Sequence, residues 1–300
     1  MQDTLLRVLK IFAGVAIPLA SLVTGLRAAS EDHLWLVKRP SLLLRSLLTI
    51  LVIVPVGAVL FLEAVRAPML VEVGITIAII AIGLGPPAAL KQAKTHQESI
   101  AFELGLNVVL LLVAIVYIPL FVAIHGAIFH HGVVLGVGQV AKVVLTRALI
   151  PLLVGIGVGR LAPRVSAPLV KYSSVFIQVV LLAVVVVALA ATWRSLLALG
   201  GKAWLTCAAV ALGEVVIGHA MGGPARETRR VLAMFSVMRF PALALLLTSV
   251  AARGREFVPV ILAYVLSSVV MLALYGAITS LAAKRGRPAI PPPAKVAPVH

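Results

Sequence analysis

Nine long apolar stretches, separated by short groups of charged or helix-breaking residues, take up almost the whole chain. Each is close to the roughly 20 residues that an α-helix needs to cross a bilayer. The expected boundaries are 8–26, 42–62, 69–90, 99–124, 135–159, 169–192, 203–222, 231–252 and 257–282. This pattern predicts an all-α polytopic membrane protein with one transmembrane domain, 1–284, and a proline-rich, basic, disordered tail, 285–300.

The composition excludes the main soluble classes. Hydrophobic residues make up 62% of the chain and charged residues 12%, with a mean hydropathy of +1.14. An ordinary soluble domain has roughly 45–50% apolar and about 25% charged residues. The chain therefore has too little charge for a soluble enzyme, a disordered protein or a modular signalling protein. A single cysteine, Cys207, leaves no intramolecular disulfide and no cysteine metal cluster.

The charge is strongly positive, with 26 Lys and Arg against 10 Asp and Glu. The cations lie singly or in small groups between apolar runs, unlike the basic stripe of a nucleic-acid-binding protein. They divide 16 to 8 between alternate connections. The richer side has Arg27, Lys38, Arg39, Arg45, Lys91, Lys94, Arg160, Arg164, Lys171, Arg226, Arg229, Arg230, Lys284, Arg285, Arg287 and Lys295. The positive-inside rule predicts an inner (plasma) membrane protein with its N-terminus outside and its C-terminus cytoplasmic. We interpret the N-terminal run as the first span and not as a cleaved signal peptide.

Breakers interrupt the third span late in its apolar run. Gly83 and Gly85 precede the pair Pro86-Pro87, which cannot continue a regular helix. Backbone groups freed in this way need partners in protein or in a water-filled cavity, since lipid offers none. The segment is therefore a candidate site together with Lys91, although a helix that simply ends, with Lys91 and Lys94 reaching the headgroups, also explains it.

An arginine lies near the middle of the eighth span. Arg239 has eight uncharged residues before it and thirteen after it, and Pro241 breaks the same helix two residues later. An arginine at membrane depth costs about 2.5–3.5 kcal/mol on insertion scales, so each such residue is a candidate for function. Arg239 is the strongest single candidate in the chain.

A third polar group lies in the fourth span, where Ser99, Glu103 and Asn107 follow each other at intervals of four. This spacing puts them on one helical face, which can line a cavity or join two helices by hydrogen bonds. Glu103 is also the expected charge partner of Lys91 or Arg239. The other polar residues in or between spans are expected to be structural or solvated: Arg147, Gln178, Glu214, His219, His125, His130 and His131.

Two interrupted apolar segments at matching places in two halves are typical of secondary transporters. On these segments the chain resembles the bile acid:sodium symporter family. The resembling stretches are LVTGLRAASEDHLWLVKRPSLLLRSLLTILVIVPVGAVL, GLGPPAALKQAKTHQESIAFELG and GHAMGGPARETRRVLAMFSVMRFPALALLLTS. The resemblance implies a panel domain, a core domain and two discontinuous helices that cross at the substrate site. It also implies that this chain lacks the first of the ten helices that bacterial members often have.

The departures from the family pattern fall on its sodium ligands. Leu90 and Lys91 occupy the positions of a serine and an asparagine, while Phe235 and Arg239 replace a carboxylate and an amide. Sodium needs a cage of oxygen ligands and is repelled by a fixed cation. We therefore expect transport of a small organic anion without sodium: by uniport, by exchange or with protons through Glu103. The expected substrate-binding residues are Arg239, Lys91, Glu103, Asn107, Ser99, Ser236, Pro87 and Pro241.

Two other classes stay open. A sensor or scaffold could keep the fold without transport, and the replaced sodium ligands favour it. An intramembrane enzyme is disfavoured, because no G-x-S-x-G, H-E-x-x-H or Asp-rich motif occurs in any span. We expect no cofactor, no metal site and no nucleic-acid partner. No Gly-x-x-x-Gly face that would join two copies of the chain stands out.

Overall fold

A computed structural model describes residues 14–27, 36–82, 97–129, 137–248 and 254–285. These residues form ten helices and no strand. We number them α1 (Gly14–Arg27), α2 (Pro40–Ala64), α3 (Met69–Ile80), α4 (Gln97–Phe129), α5, α6 (Pro163–Ala198), α7 (Gly200–Met221), α8 (Arg226–Val237), α9 (Pro241–Thr248) and α10 (Gly254–Arg285). α5 comprises Val137–Val144, a π-helical turn at Leu145–Leu149, and Ile150–Leu161, while α2 has a similar turn at Thr49–Ile53.

Six helical segments are long and apolar enough to cross a membrane, which confirms the all-α membrane class. They are Pro40–Ala64, Ala101–Ile124, Ala141–Leu161, Gly200–Met221, Arg226–Thr248 and Gly254–Leu281. Each overlaps one of the predicted spans. Long apolar runs locate these helices because a buried backbone in lipid must make its hydrogen bonds within the segment.

The other three predicted spans correspond to shorter apolar helices. These are Gly14–Arg27, Met69–Ile80 and Val185–Ala198. The first and third predicted spans extend into 8–13 and 83–90, which lie outside the described residues, as does most of the predicted tail. The total of nine spans therefore stays a prediction.

The described surface is apolar over wide areas. Leu60 on α2, Val116 on α4 and Leu205 on α7 are each more than 60% exposed. Soluble monomers rarely expose apolar patches of more than a few hundred Å². Lipid is the solvent that such a surface fits.

The segment Arg226–Thr248 is the most enclosed of the six candidates. Over 18 apolar residues of this segment 83% are buried, against 22% over the same length of Ala141–Leu161. α8 and α9 therefore lie inside the helix assembly, where other helices and not lipid surround their polar groups.

α7 and α8 form a close helical hairpin. The turn contains Gly223 at a φ of +84°, a conformation that favours glycine, and the Thr228 hydroxyl donates to the Gly222 carbonyl at 2.6 Å. A Cβ on Gly218 would lie 2.5 Å from the Ser236 Oγ and 2.7 Å from the Ala233 Cα. Gly218 and Gly222 thus form a Gly-x-x-x-Gly face that packs within the chain.

We expect Gly218→Ala to weaken this hairpin. The added methyl meets backbone on α8, and overpacking costs about 1–3 kcal/mol, partly offset by the roughly 1 kcal/mol by which alanine favours a helix over glycine. Gly213→Ala on the same helix is the matched control, because a Cβ there meets nothing within 4 Å. Thermal unfolding of the detergent-solubilised variants should show a lower midpoint for Gly218→Ala than for Gly213→Ala. Equal midpoints would contradict the close packing.

A second glycine contact joins α1 to α5. A Cβ on Gly25 would clash with the backbone of α5, and a Cβ on Gly155 would clash with the backbone of α1. Arg147 on α5 donates a hydrogen bond of 3.1 Å to the Gly14 carbonyl at the start of α1. This bond joins α5 to the start of α1, and a structural role for Arg147 stays a prediction.

Candidate functional site

Helical structure stops at two places near the interruptions that the sequence predicted. α3 ends at Ile80 and is followed by non-helical Ala81 and Ile82, while residues 238–240 are non-helical between α8 and α9. α9 begins at Pro241, whose ring and missing N–H prevent a continuous helix. The break beside Arg239 is thus confirmed. In the third span the helix from Met69 ends at Ile80, before the predicted breakers, and the rest of that span, 83–90, lies outside the described residues.

The two breaks are joined directly. The Phe240 N–H donates to the Ala81 carbonyl oxygen at 3.0 Å. This bond satisfies one donor and one acceptor that the broken helices would otherwise leave unpaired inside an apolar assembly. We call this contact the crossing. Gly83, Gly85, Pro86, Pro87 and Lys91, which the sequence placed at this site, lie outside the described residues.

An ion pair lies beside the crossing. The Arg239 guanidinium Nη2 is 3.8 Å from the Glu214 Oε1, and both side chains are 2% exposed. Glu214 lies on α7, one turn before Gly218 on the face that packs against α8. Arg239 is thus a buried cation with a carboxylate beside it, and its expected role in binding substrate stays a prediction. Glu214, expected to be only structural, is its partner.

A tyrosine holds the other carboxylate oxygen. The Tyr264 hydroxyl on α10 donates to the Glu214 Oε2 at 2.5 Å, and Tyr264 is fully buried. The same hydroxyl lies 3.4 Å from the Val237 carbonyl at the end of α8. The Ser268 hydroxyl donates to the Tyr264 backbone carbonyl at 2.8 Å. Three helices and one break therefore converge on a single carboxylate.

The hydrogen-bonding capacity of this cluster is only partly used. Among the described residues, none of the three guanidinium nitrogens of Arg239 has a hydrogen-bond partner, and neither has the Glu214 Oε1. Arg239 also acts electrostatically on Tyr117 of α4, whose buried hydroxyl has no partner in the same part of the chain. Buried donors are normally satisfied, so unfilled ones indicate a place for a further group.

Glu103 is not the partner of Arg239. The charge that acts on it belongs to Arg27 of α1. The carboxylate beside Arg239 is that of Glu214, so the expected pairing of Glu103 with Arg239 was wrong, while the alternative pairing with Lys91 lies outside the described residues.

The remaining predicted site residues lie in different parts of the structure. Asn107 is buried on α4 near Glu103, in a stretch of the helix that is buried on every side. Ser236 is fully buried at the contact with Gly218, and its hydroxyl has no partner among the described residues. Pro241 lies at the crossing. The side chain of Ser99 is outside the described part of α4.

His219 belongs to a separate contact. Its Nδ1 lies 2.8 Å from the Tyr275 hydroxyl, away from the Glu214 cluster although both residues are on α7. This agrees with the five-residue spacing, which puts the two side chains on different faces. Within the described residues no group of three His, Cys, Asp or Glu side chains is placed to hold a metal ion.

The fold and the site define a helical membrane protein with a buried ion pair beside the crossing. Compared with models of known protein families and with curated proteins, the sequence matches none. The resemblance to the bile acid:sodium symporter family therefore rests on the sequence segments alone.

Proposed function

We propose that the protein is a secondary transporter of small organic anions that works by alternating access. The observation that carries this proposal is the crossing, because backbone that leaves the helical ladder inside a membrane protein is typical of substrate and ion sites in transporters. The buried charges of Arg239 and Glu214 beside it support the same function. A structural helix pair needs neither the break nor the charges.

The proposed transport does not use sodium. Arg239 supplies a fixed cation beside the only described carboxylate at the crossing, which is where a bound cation would otherwise compensate Glu214. A sodium ion next to this guanidinium would be repelled. The sequence resemblance supports the same proposal, since its sodium-ligand positions hold Phe235 and Arg239.

The proposal includes a transporter architecture. It comprises nine spans, a panel domain that rocks against a core domain containing the crossing, an external N-terminus and a cytoplasmic C-terminus in the inner (plasma) membrane. It assigns no enzymatic activity and no cofactor. The distribution of Lys and Arg supports this orientation.

Uptake into proteoliposomes tests the function. We expect the purified protein to take up at least one labelled monoanion from a panel of pyruvate, benzoate, cholate and taurocholate, at the same initial rate with and without an inward sodium gradient. Protein-free liposomes give the background for permeation of the protonated acids. Uptake that requires sodium would contradict the sodium-independent mechanism.

A sensor of the same fold is the second candidate, favoured by the nearly complete enclosure of the ion pair. It predicts binding without flux. Titration of the panel into detergent-solubilised protein, followed by tryptophan fluorescence, measures binding independently of uptake. Saturable binding together with background uptake would support the sensor and contradict the transporter.

A further inference from the structure

The contact between Arg239 and Glu214 is an incomplete one. At 3.8 Å it brings the charges together without a hydrogen bond, although a guanidinium can donate two parallel bonds to a carboxylate. All three guanidinium nitrogens lack hydrogen-bond partners among the described residues. Arg239 therefore has donors to offer a second carboxylate while Glu214 stays within reach.

Charge conservation limits how such a second carboxylate could enter. The Arg239–Glu214 pair is neutral, so a bound anion would leave the enclosed cluster with a net charge of −1. Uncompensated charge is strongly disfavoured away from water. One proton taken up with each anion restores neutrality, and Glu214 is the carboxylate at this place that could receive it.

We propose that Arg239 binds the carboxylate of the transported anion and that Glu214, released from Arg239, takes up the coupled proton. As the anion binds, hydronium on that side gives up one O–H bond and Glu214 gains one. As the anion leaves on the other side, the Glu214 O–H bond breaks and the proton returns to water as hydronium. This inference rests on the proposed function and assigns its coupling ion: one proton moves with one monoanion, and the cycle is electroneutral.

The surroundings of Glu214 are suited to this exchange. Arg239 and Tyr264 are the described groups that act on its carboxylate. α7 packs against α8, α10 and α2, whose other charged residues lie near the helix ends. In the described residues these charged side chains are Arg45 and Glu63 on α2, Arg226, Glu227, Arg229 and Arg230 on α8, and Arg255, Glu256, Lys284 and Arg285 on α10. The Tyr264 hydroxyl can hold the carboxyl group in place both before and after it is protonated.

Uptake under imposed gradients tests the coupling with the same labelled panel. With an acidic exterior, a one-to-one proton symporter accumulates the anion about tenfold for each unit of pH difference. We expect a potential set by potassium and valinomycin to leave the wild-type rate unchanged. An imposed potential that changes the rate would contradict electroneutral exchange.

Glu214→Gln is the decisive variant. It keeps the shape and the contact with Tyr264 but cannot change its protonation, so we expect its residual anion flux to lose pH-driven accumulation and to become sensitive to membrane potential. Glu63→Gln, the same change at an exposed residue of α2, should keep the wild-type coupling. If Glu103→Gln and not Glu214→Gln removes the coupling, the proton passes through Glu103 and this assignment is wrong.

A measurement on the wild-type protein covers the case in which Glu214→Gln does not fold. Calorimetric titration with the transported anion, repeated in buffers of different ionisation enthalpy, gives the number of protons bound with it. We expect one, and zero would overturn the inference. Uptake that does not depend on the pH gradient and is unchanged in Glu214→Gln would overturn the proton coupling and leave the transporter proposal in place. If no anion of the panel binds to the protein or is taken up, both proposals are wrong.

Discussion

Arg239→Gln is expected to lower the free energy of unfolding by about 3–5 kcal/mol, because it leaves the Glu214 carboxylate buried without its cation. It should also reduce anion uptake by about 10–100-fold, the equivalent of one charge-assisted hydrogen bond of roughly 1.5–3 kcal/mol. The loss of stability is measured by unfolding the detergent-solubilised protein with increasing sodium dodecyl sulfate. The loss of uptake is measured in proteoliposomes.

A double variant separates the two effects. Arg239→Gln combined with Glu214→Gln removes both charges, so we expect most of the lost stability to return while uptake stays low. Arg147→Gln is the control, since Arg147 is an exposed span arginine whose hydrogen bond among the described residues goes to the Gly14 carbonyl of α1. A double variant as unstable as the single one would mean that the ion pair is not what Arg239 contributes to the fold.

The sequence predicted the break between α8 and α9 because its cause is local. Pro241 lacks an N–H and its ring excludes a continuous helix, wherever the segment packs. Arg239 could be singled out because its depth follows from the length of apolar sequence on either side. The membrane class was equally predictable, since the number of charged residues is too small for a water-exposed surface.

The partner of Arg239 could not be predicted in the same way, because pairing depends on how the helices pack. Glu214 is 25 residues from Arg239 in sequence, and the hairpin of α7 and α8 brings them together. A signal was present: Glu214, Gly218 and Gly222 recur at intervals of four, so the carboxylate lies on the small-residue face that contacts α8. Glu103 was favoured because its span contains several polar residues. The sequence of one helix, however, does not determine which residues of another helix lie beside it.

Tyr264 is the site residue that the sequence pattern does not indicate. It lies in a long apolar run of α10 in which one hydroxyl does not alter the hydrophobic pattern. Tyrosines in such runs are usually core residues. This one donates a hydrogen bond to Glu214 because α7 packs beside α10. The chemistry of the site thus depends on a contact between three helices that no single segment encodes.

Phe240→Pro is expected to open the crossing, because proline has no N–H to donate to the Ala81 carbonyl. An unsatisfied buried acceptor costs about 1–3 kcal/mol, which should appear as a lower unfolding midpoint in sodium dodecyl sulfate. Phe240→Leu is the control, since it keeps the N–H and changes only the side chain. If the bond between the two broken helices holds the site together, Phe240→Pro loses anion uptake and Phe240→Leu retains most of it. Equal losses would assign the effect to the phenyl ring and leave the crossing without a role in transport.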